Sequence, residues 1–110
     1  MDPRTQKLIS ALESKGWKLI GPADVSSDWW FEEIYHFTSS WHPRGINIYL
    51  TVLVDPQFLD KKVACTFGIS TTLPKDRHTT YVEVLSLNDI TRTNLSAFVD
   101  RINKNVLVGR

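Results

Sequence analysis

The sequence predicts an α+β fold: a two-layer, five-stranded antiparallel β-meander with N- and C-terminal helices packed on one face of the sheet. Three observations lead to this prediction. Apolar residues recur at helical spacing near both ends of the chain, they alternate with polar residues through the middle, and short polar loops separate the alternating segments. Short loops favour neighbouring strands joined as hairpins, and two amphipathic helices can cover one face of such a sheet.

The size and composition of the chain are those of an ordinary small globular protein. Its 110 residues are expected to form one α+β domain, residues 1–110, with a core that needs no disulfide or metal. The formal net charge is +1, which argues against a nucleic-acid binder because such proteins usually carry a clear basic excess. The single cysteine, Cys65, fits a reducing compartment. Without a signal peptide or a membrane-length apolar run, the sequence predicts a cytoplasmic protein with no membrane contact.

The two helices are predicted from their end signals and apolar stripes. Pro3 suits the first helical position and Gly16 is a natural stop, which predicts a helix over residues 3–15. The last helix is expected to begin near Thr91 or Thr93, either of which can cap it. Its apolar stripe consists of Leu95, Phe98, Val99, Ile102 and Val106.

Five strands are predicted between the helices. The first is expected to end at the Gly21–Pro22 pair. The facing of the fifth strand is ambiguous. Because a carboxylate at Glu83 is expected to face solvent, its neighbours Val82 and Val84 are expected to point toward the core. The predicted ranges are 17–20, 29–38, 46–54, 63–73 and 80–87.

The face of the sheet turned away from the helices, called the outer face below, has no predicted cover within the chain. If core residues lie opposite core residues, Trp30 pairs with Leu53 and Ile34 pairs with Tyr49, while Tyr49 can lie over Gly68. We therefore expect Trp30, Ile34, Tyr49 and Leu53 to form one contiguous apolar cluster on the outer face.

This cluster suggests a contact surface. Tyr81 and Leu85 extend it if the fifth strand faces outward at those positions. Leaving such side chains in water forgoes roughly 1.5–3 kcal/mol each, and apolar patches of this kind often mark a partner surface. We therefore predict a non-enzymatic interaction or assembly module that binds a protein partner or forms a homodimer through the sheet face. The alternative is that the cross-strand pairs only stabilise the sheet.

A second candidate site lies at one end of the sheet. The loops after the second and fourth strands meet there, because alternate loops of a meander share an end. Arginine binds phosphate or carboxylate through two parallel hydrogen bonds, and histidine titrates near neutral pH. The alternative function is therefore binding of, or catalysis on, a small anionic ligand, although such loops also serve simply as turns. The residues concerned are Trp41, His42, Arg44, Arg77 and His78.

Recognisable catalytic chemistry is absent from the sequence. There is no nucleophile elbow, phosphate loop or dinucleotide fingerprint, and the three histidines and Cys65 lack metal-ligand spacing. We predict no catalytic residue, no metal and no cofactor. Glu33 is the exception, because strict alternation places it among the aromatic residues of the core face. A bulge at Glu32–Glu33, or a hydrogen bond from Tyr35, Lys18 or an indole N–H, would accommodate it without a catalytic role.

Overall fold

The computed structural model describes residues 3–23, 31–41, 45–54, 64–74, 81–86, 90 and 92–108. Within these ranges every neighbouring pair of strands is antiparallel, and the sheet order is β1-β2-β3-β4-β5. The predicted α+β meander with a helix at each end is confirmed. The elements are α1 (Pro3–Ser14), β1 (Trp17–Pro22), β2 (Phe31–Ser39), β3 (Asn47–Val54), β4 (Ala64–Ser70), β5 (Glu83–Ser86) and α2 (Arg92–Val108).

The main core lies between the two helices and one face of the sheet. Trp17 begins β1 as a buried residue, and its Nε1 donates a hydrogen bond of 2.6 Å to Oδ1 of Asn103 in α2. This contact satisfies the indole N–H and joins β1 to α2. The predicted stripe of α2 is buried as expected. The largest fully buried side chains are Phe37, Phe67, Phe98, Leu8, Leu12, Ile48, Leu50, Ile69, Ile102, Val52, Val99 and Val106.

The end of α1 follows from one glycine. Gly16 has a φ of 98°, a conformation that L-amino acids with a side chain rarely adopt, so the helix stops there as predicted. Both the backbone N–H and the hydroxyl of Ser40 donate to the carbonyl oxygen of Gly16 at 2.9 Å. These bonds attach the end of β2 to the turn between α1 and β1.

The strand register differs from the predicted register by two residues. His36 pairs with Tyr49 across β2 and β3, and Thr51 pairs with Gly68 across β3 and β4, so the predicted pairing of Ile34 with Tyr49 is wrong. From Glu33 onward in β2, through Leu53 in β3 and from Thr66 in β4, the faces are nevertheless as predicted, because a shift of two residues leaves every side chain on the same side. Phe31, predicted on the core face, instead pairs with Leu53 of the outer face across the register shift in β2. Alternation determines the face, whereas the turn and loop geometry selects between registers two residues apart.

Strand β1 is longer than predicted. It continues through Pro22 instead of ending at Gly21, because a shift in the β1–β2 register between Leu19 and Gly21 accommodates the extra residue. Proline is tolerated there because β1 is an edge strand and its outer side needs no ladder hydrogen bond.

The predicted facing of β5 is wrong at three positions. Val84 pairs with Gly68 on the outer face and is exposed, whereas Leu85 is buried in the main core. Glu83 lies on the helix side, where it accepts hydrogen bonds from Arg101 Nε at 2.6 Å and Asn105 Nδ2 at 3.0 Å. The guanidinium of Arg101 and the amide of Asn105 on α2 therefore explain how a carboxylate occupies a position on the helix side of the sheet.

Candidate functional site

The outer face carries a second apolar cluster, separate from the main core. Ile34 is at its centre, and Ala23, Tyr49, Leu53 and Tyr81 pack against it. The predicted grouping of Ile34, Tyr49 and Leu53 is therefore present, and Trp30 lies outside the described residues.

One part of the outer-face prediction is wrong. Ile34 was expected in contact with water, but it is only 3% exposed because the neighbouring side chains of the cluster close over it. The half-buried Tyr49, Leu53 and Tyr81 form the accessible layer instead. A partner at this face would touch that layer and not Ile34.

A tyrosine shields the glycine of β4, but it is Tyr81 and not Tyr49. A Cβ atom at position 68 would lie 2.6 Å from Cδ1 of the Tyr81 ring. The shift of the register by two residues explains the difference, because it places Thr51 instead of Tyr49 beside Gly68.

Two hydroxyl groups on the outer face are buried, those of Thr51 and Tyr81. Thr51 is fully buried, and neither its Oγ1 nor the hydroxyl of Tyr81 makes a hydrogen bond of normal geometry with the described residues. Burial raises the pKa of Tyr81 above 10.0, and the nearby Thr51 hydroxyl offsets part of that increase. The outer face thus contains two buried hydroxyl groups whose hydrogen bonding is incomplete.

An aromatic pair covers the middle of the outer face. The rings of His36 and Tyr49 stack with centroids 4.8 Å apart and an interplanar angle of 16°. His36 Nε2 lies 2.9 Å from Oδ1 of Asn47, which fixes the orientation of the imidazole. The result is a flat, half-exposed surface on two adjacent strands.

Exposed aliphatic residues lie at both edges of the outer face. Ile20 on β1 is 54% exposed and Val84 on β5 is 56% exposed. Among the described residues only Trp41 is a further large apolar side chain with comparable exposure. Ile20 is the extra residue at the β1 register shift, where Ile20 and Gly21 together lie opposite His36, and alternation along β1 did not predict that irregularity. Val84 was missed because β5 was assigned the opposite facing.

Where its side chains are described, the outer face is almost free of charge. Among its positions with described side chains there is no acidic residue, and the basic ones are Lys18 and His36. Its other polar residues that are at least partly exposed are Thr38, Asn47, Thr66 and Ser86. Such a face exerts little long-range attraction on a charged ligand.

Of the five residues predicted to bind an anion at one end of the sheet, Trp41 is the one that the structure describes. Trp41 is 38% exposed, stands against Gly16, and meets the buried Trp17 edge to face at 5.8 Å and 79°. These contacts give it a structural role at the end of α1. The other predicted residues, His42, Arg44, Arg77 and His78, lie outside the described residues.

Glu33 is accommodated by a hydrogen bond from Tyr35, as one of the two alternatives predicted, and it is not turned to the outer face, because it pairs with Val52 of the core face. The β2–β3 register shifts between Phe31 and Glu33, and the Tyr35 hydroxyl donates to Oε2 of Glu33. A bulge and a neighbouring donor therefore explain a half-buried carboxylate near the core face.

The helix layer contains an open groove of about 610 Å³ between α1 and α2. Its floor is formed by Leu95 and Val99, and its cation, Lys15, lies 3.5 Å from Asp100. Since Val99 is fully buried and Lys15 is already paired with Asp100, the groove offers a ligand little apolar surface at Val99, and its cation is not free to bind an anion.

Comparison with known proteins does not assign this chain to a class of protein, so its own fold and surface must define one. No known protein family, curated protein or solved structure matches it. The described residues contain no group of three side chains able to hold a metal ion. They also contain no helix with the length and apolar character needed to span a membrane. The chain is an α+β protein with an antiparallel sheet and two apolar clusters.

Proposed function

We propose that this chain is a small non-enzymatic interaction module and that the outer face of its sheet is the contact surface. The observation that carries the proposal is the second apolar cluster on the side opposite the helices, flanked by the exposed Ile20 and Val84. Single exposed aliphatic residues are common on protein surfaces, so the support comes from their position on the same face as the second apolar cluster.

The chemistry of this surface suits a protein partner. Tyrosine supplies large contact area with few rotatable bonds, and side chains of this kind are enriched at the centre of protein interfaces. The paired rings of His36 and Tyr49 are held by a stack and a hydrogen bond before any partner arrives. Prior ordering reduces the entropy lost on binding.

The size of the surface predicts a weak contact. Adjacent strands lie about 4.8 Å apart, so the five strands span about 19 Å, and the eight residues of β3 extend about 26 Å. A face of these dimensions is at the lower end of what specific complexes bury. We therefore expect a dissociation constant of roughly tens to hundreds of micromolar.

A charge placed at one exposed edge tests the proposal. Val84→Glu adds a carboxylate to the outer face, and Ala97→Glu adds one to the exposed side of α2 as a matched control. Wild type and Ala97→Glu should self-associate in sedimentation equilibrium or retain a protein in affinity capture, whereas Val84→Glu should lose that binding. Circular dichroism should show the same folded spectrum for all three.

Two results would contradict the proposal. One is a wild-type chain that stays monomeric up to millimolar concentration and retains no protein in affinity capture. The other is binding that Val84→Glu leaves intact but Ala97→Glu removes, because that result would place the contact on the helix layer.

A further inference from the structure

We infer that His36 makes the contact on the outer face dependent on pH: the contact forms while the imidazole is neutral and is lost when the imidazole gains a proton. This inference rests on the proposed function and specifies how the same site is regulated. It follows from the position of His36 on the face, its two side-chain contacts and the charges of the residues around it.

His36 lies on an inner strand of the sheet, next to the second apolar cluster. It pairs with Gly21 of β1 on one side and with Tyr49 of β3 on the other. Its half-exposed ring stacks on Tyr49 with the centroids 4.8 Å apart, and Tyr49 packs against Ile34 in that cluster. A partner that covers the cluster would therefore also cover the imidazole.

The hydrogen bond to Asn47 determines which nitrogen of the ring receives the added proton. Nε2 lies 2.9 Å from Oδ1 of Asn47, and because an amide oxygen only accepts, Nε2 carries the hydrogen of the neutral ring. The added proton therefore binds Nδ1.

Protonation changes the charge of the face and leaves its shape in place. Nε2 of His36 donates to Asn47 in both charge states, and a cationic ring is attracted to the face of the Tyr49 ring. The stack and the hydrogen bond are thus compatible with the neutral and with the charged imidazole.

No acidic residue with a described side chain on the outer face offsets the new charge. The charged or titratable groups that share the described face with His36 are Lys18 on β1, Tyr49 on β3 and Tyr81 before β5. Histidine changes charge between about pH 5 and pH 8, whereas lysine and tyrosine side chains do not. Acidification through this range therefore adds a second cation to that of Lys18.

The added charge opposes any contact that excludes water from the face. Covering an ionised group without a counter-charge costs free energy, whereas a neutral ring that already donates to Asn47 is covered at little cost. We expect the affinity of the contact to fall by about tenfold or more between about pH 8 and about pH 5.5.

Histidine variants compared at these two pH values test the inference. Glutamine at position 36 retains an N–H donor for Asn47 but cannot gain a proton, and His78→Gln provides the matched control. Wild type and His78→Gln should self-associate about ten times or more weakly at the lower pH in sedimentation equilibrium, or lose a captured protein there. The binding by His36→Gln should be the same at both pH values.

NMR of the wild-type chain provides a second measurement that needs no variant. The affinity should begin to fall at the pH at which the His36 imidazole of the free chain gains its proton, with Nδ1 as the protonated nitrogen. The ring signals of Tyr49 should move over the same pH interval, and circular dichroism should show a folded chain throughout.

The outcomes separate this inference from the proposed function. If wild type binds equally well at both pH values, or if His36→Gln retains the pH dependence, His36 is not the switch and the proposed function stands. A loss of binding displaced from the titration of His36, or an unfolded chain at about pH 5.5, would overturn the inference in the same way. If wild type makes no contact at either pH value, both proposals fail.

Discussion

The ring of Tyr81 occupies the space directly above Gly68, which leaves no room for a side chain at position 68. Tyr81 precedes β5 and Gly68 lies in the middle of β4, so this contact joins the beginning of the edge strand to the neighbouring strand on the outer face. It also keeps Tyr81 within the apolar cluster around Ile34.

The first prediction concerns this contact. Gly68→Ala should lower the free energy of unfolding by about 1–3 kcal/mol, because the added methyl group displaces the ring. In a Tyr81→Ala background the same change should cost nothing or stabilise the strand slightly, since alanine is better than glycine in a strand. Urea denaturation of the two single variants and the double variant measures the coupling. Equal costs of Gly68→Ala in both backgrounds would show that the ring does not occupy this space in solution.

The second prediction concerns pH. Burial raises the pKa of Tyr81 above 10.0, partly offset by the Thr51 hydroxyl, so the folded state holds this proton more tightly than the unfolded state. The resulting stability is fully present below pH 10 and is lost as the pH rises through the pKa of the folded state. Unfolding measured between pH 9 and pH 11 should show this loss in wild type and a smaller loss in Tyr81→Phe. Identical profiles for the two proteins would contradict the buried position of the phenol.

The third prediction concerns the ion pair that orients β5. Arg101 and Glu83 should show a coupling free energy of about 0.5–1 kcal/mol in a double-mutant cycle of alanine variants, because the Glu83 carboxylate is half-buried and accepts two hydrogen bonds. Lys15 and Asp100, 3.5 Å apart and exposed, provide the matched control and should show less coupling. Greater coupling in the Lys15–Asp100 pair would mean that Glu83 does not orient β5.

The sequence predicted the sheet order and the facing of most residues in three strands, because alternation of apolar and polar residues persists through them. Two strand registers that differ by two residues place every side chain on the same face of the sheet, so the alternation of apolar and polar residues cannot distinguish them. The pairing of Thr51 with Gly68 therefore had to come from the structure. For the same reason the tyrosine over Gly68 was misidentified.

The facing of β5 failed for a different reason. A carboxylate was assigned to the outer face because carboxylates are seldom buried unpaired. Its partner, Arg101, lies 18 residues further along the chain on α2, and no local pattern indicates that contact. The exposed Val84, which is central to the proposed surface, was consequently predicted to be buried.

The most direct test of the proposed surface is a dilution series followed by ¹⁵N–¹H NMR of the wild-type chain. Between about 20 µM and 1 mM, the range set by the expected affinity, amide shifts of Ile20, Tyr49, Leu53 and Val84 should move together with concentration. Amides on the exposed sides of α1 and α2 should stay fixed. Shifts confined to the helices, or no shift anywhere across this range together with no retained partner, would contradict the account.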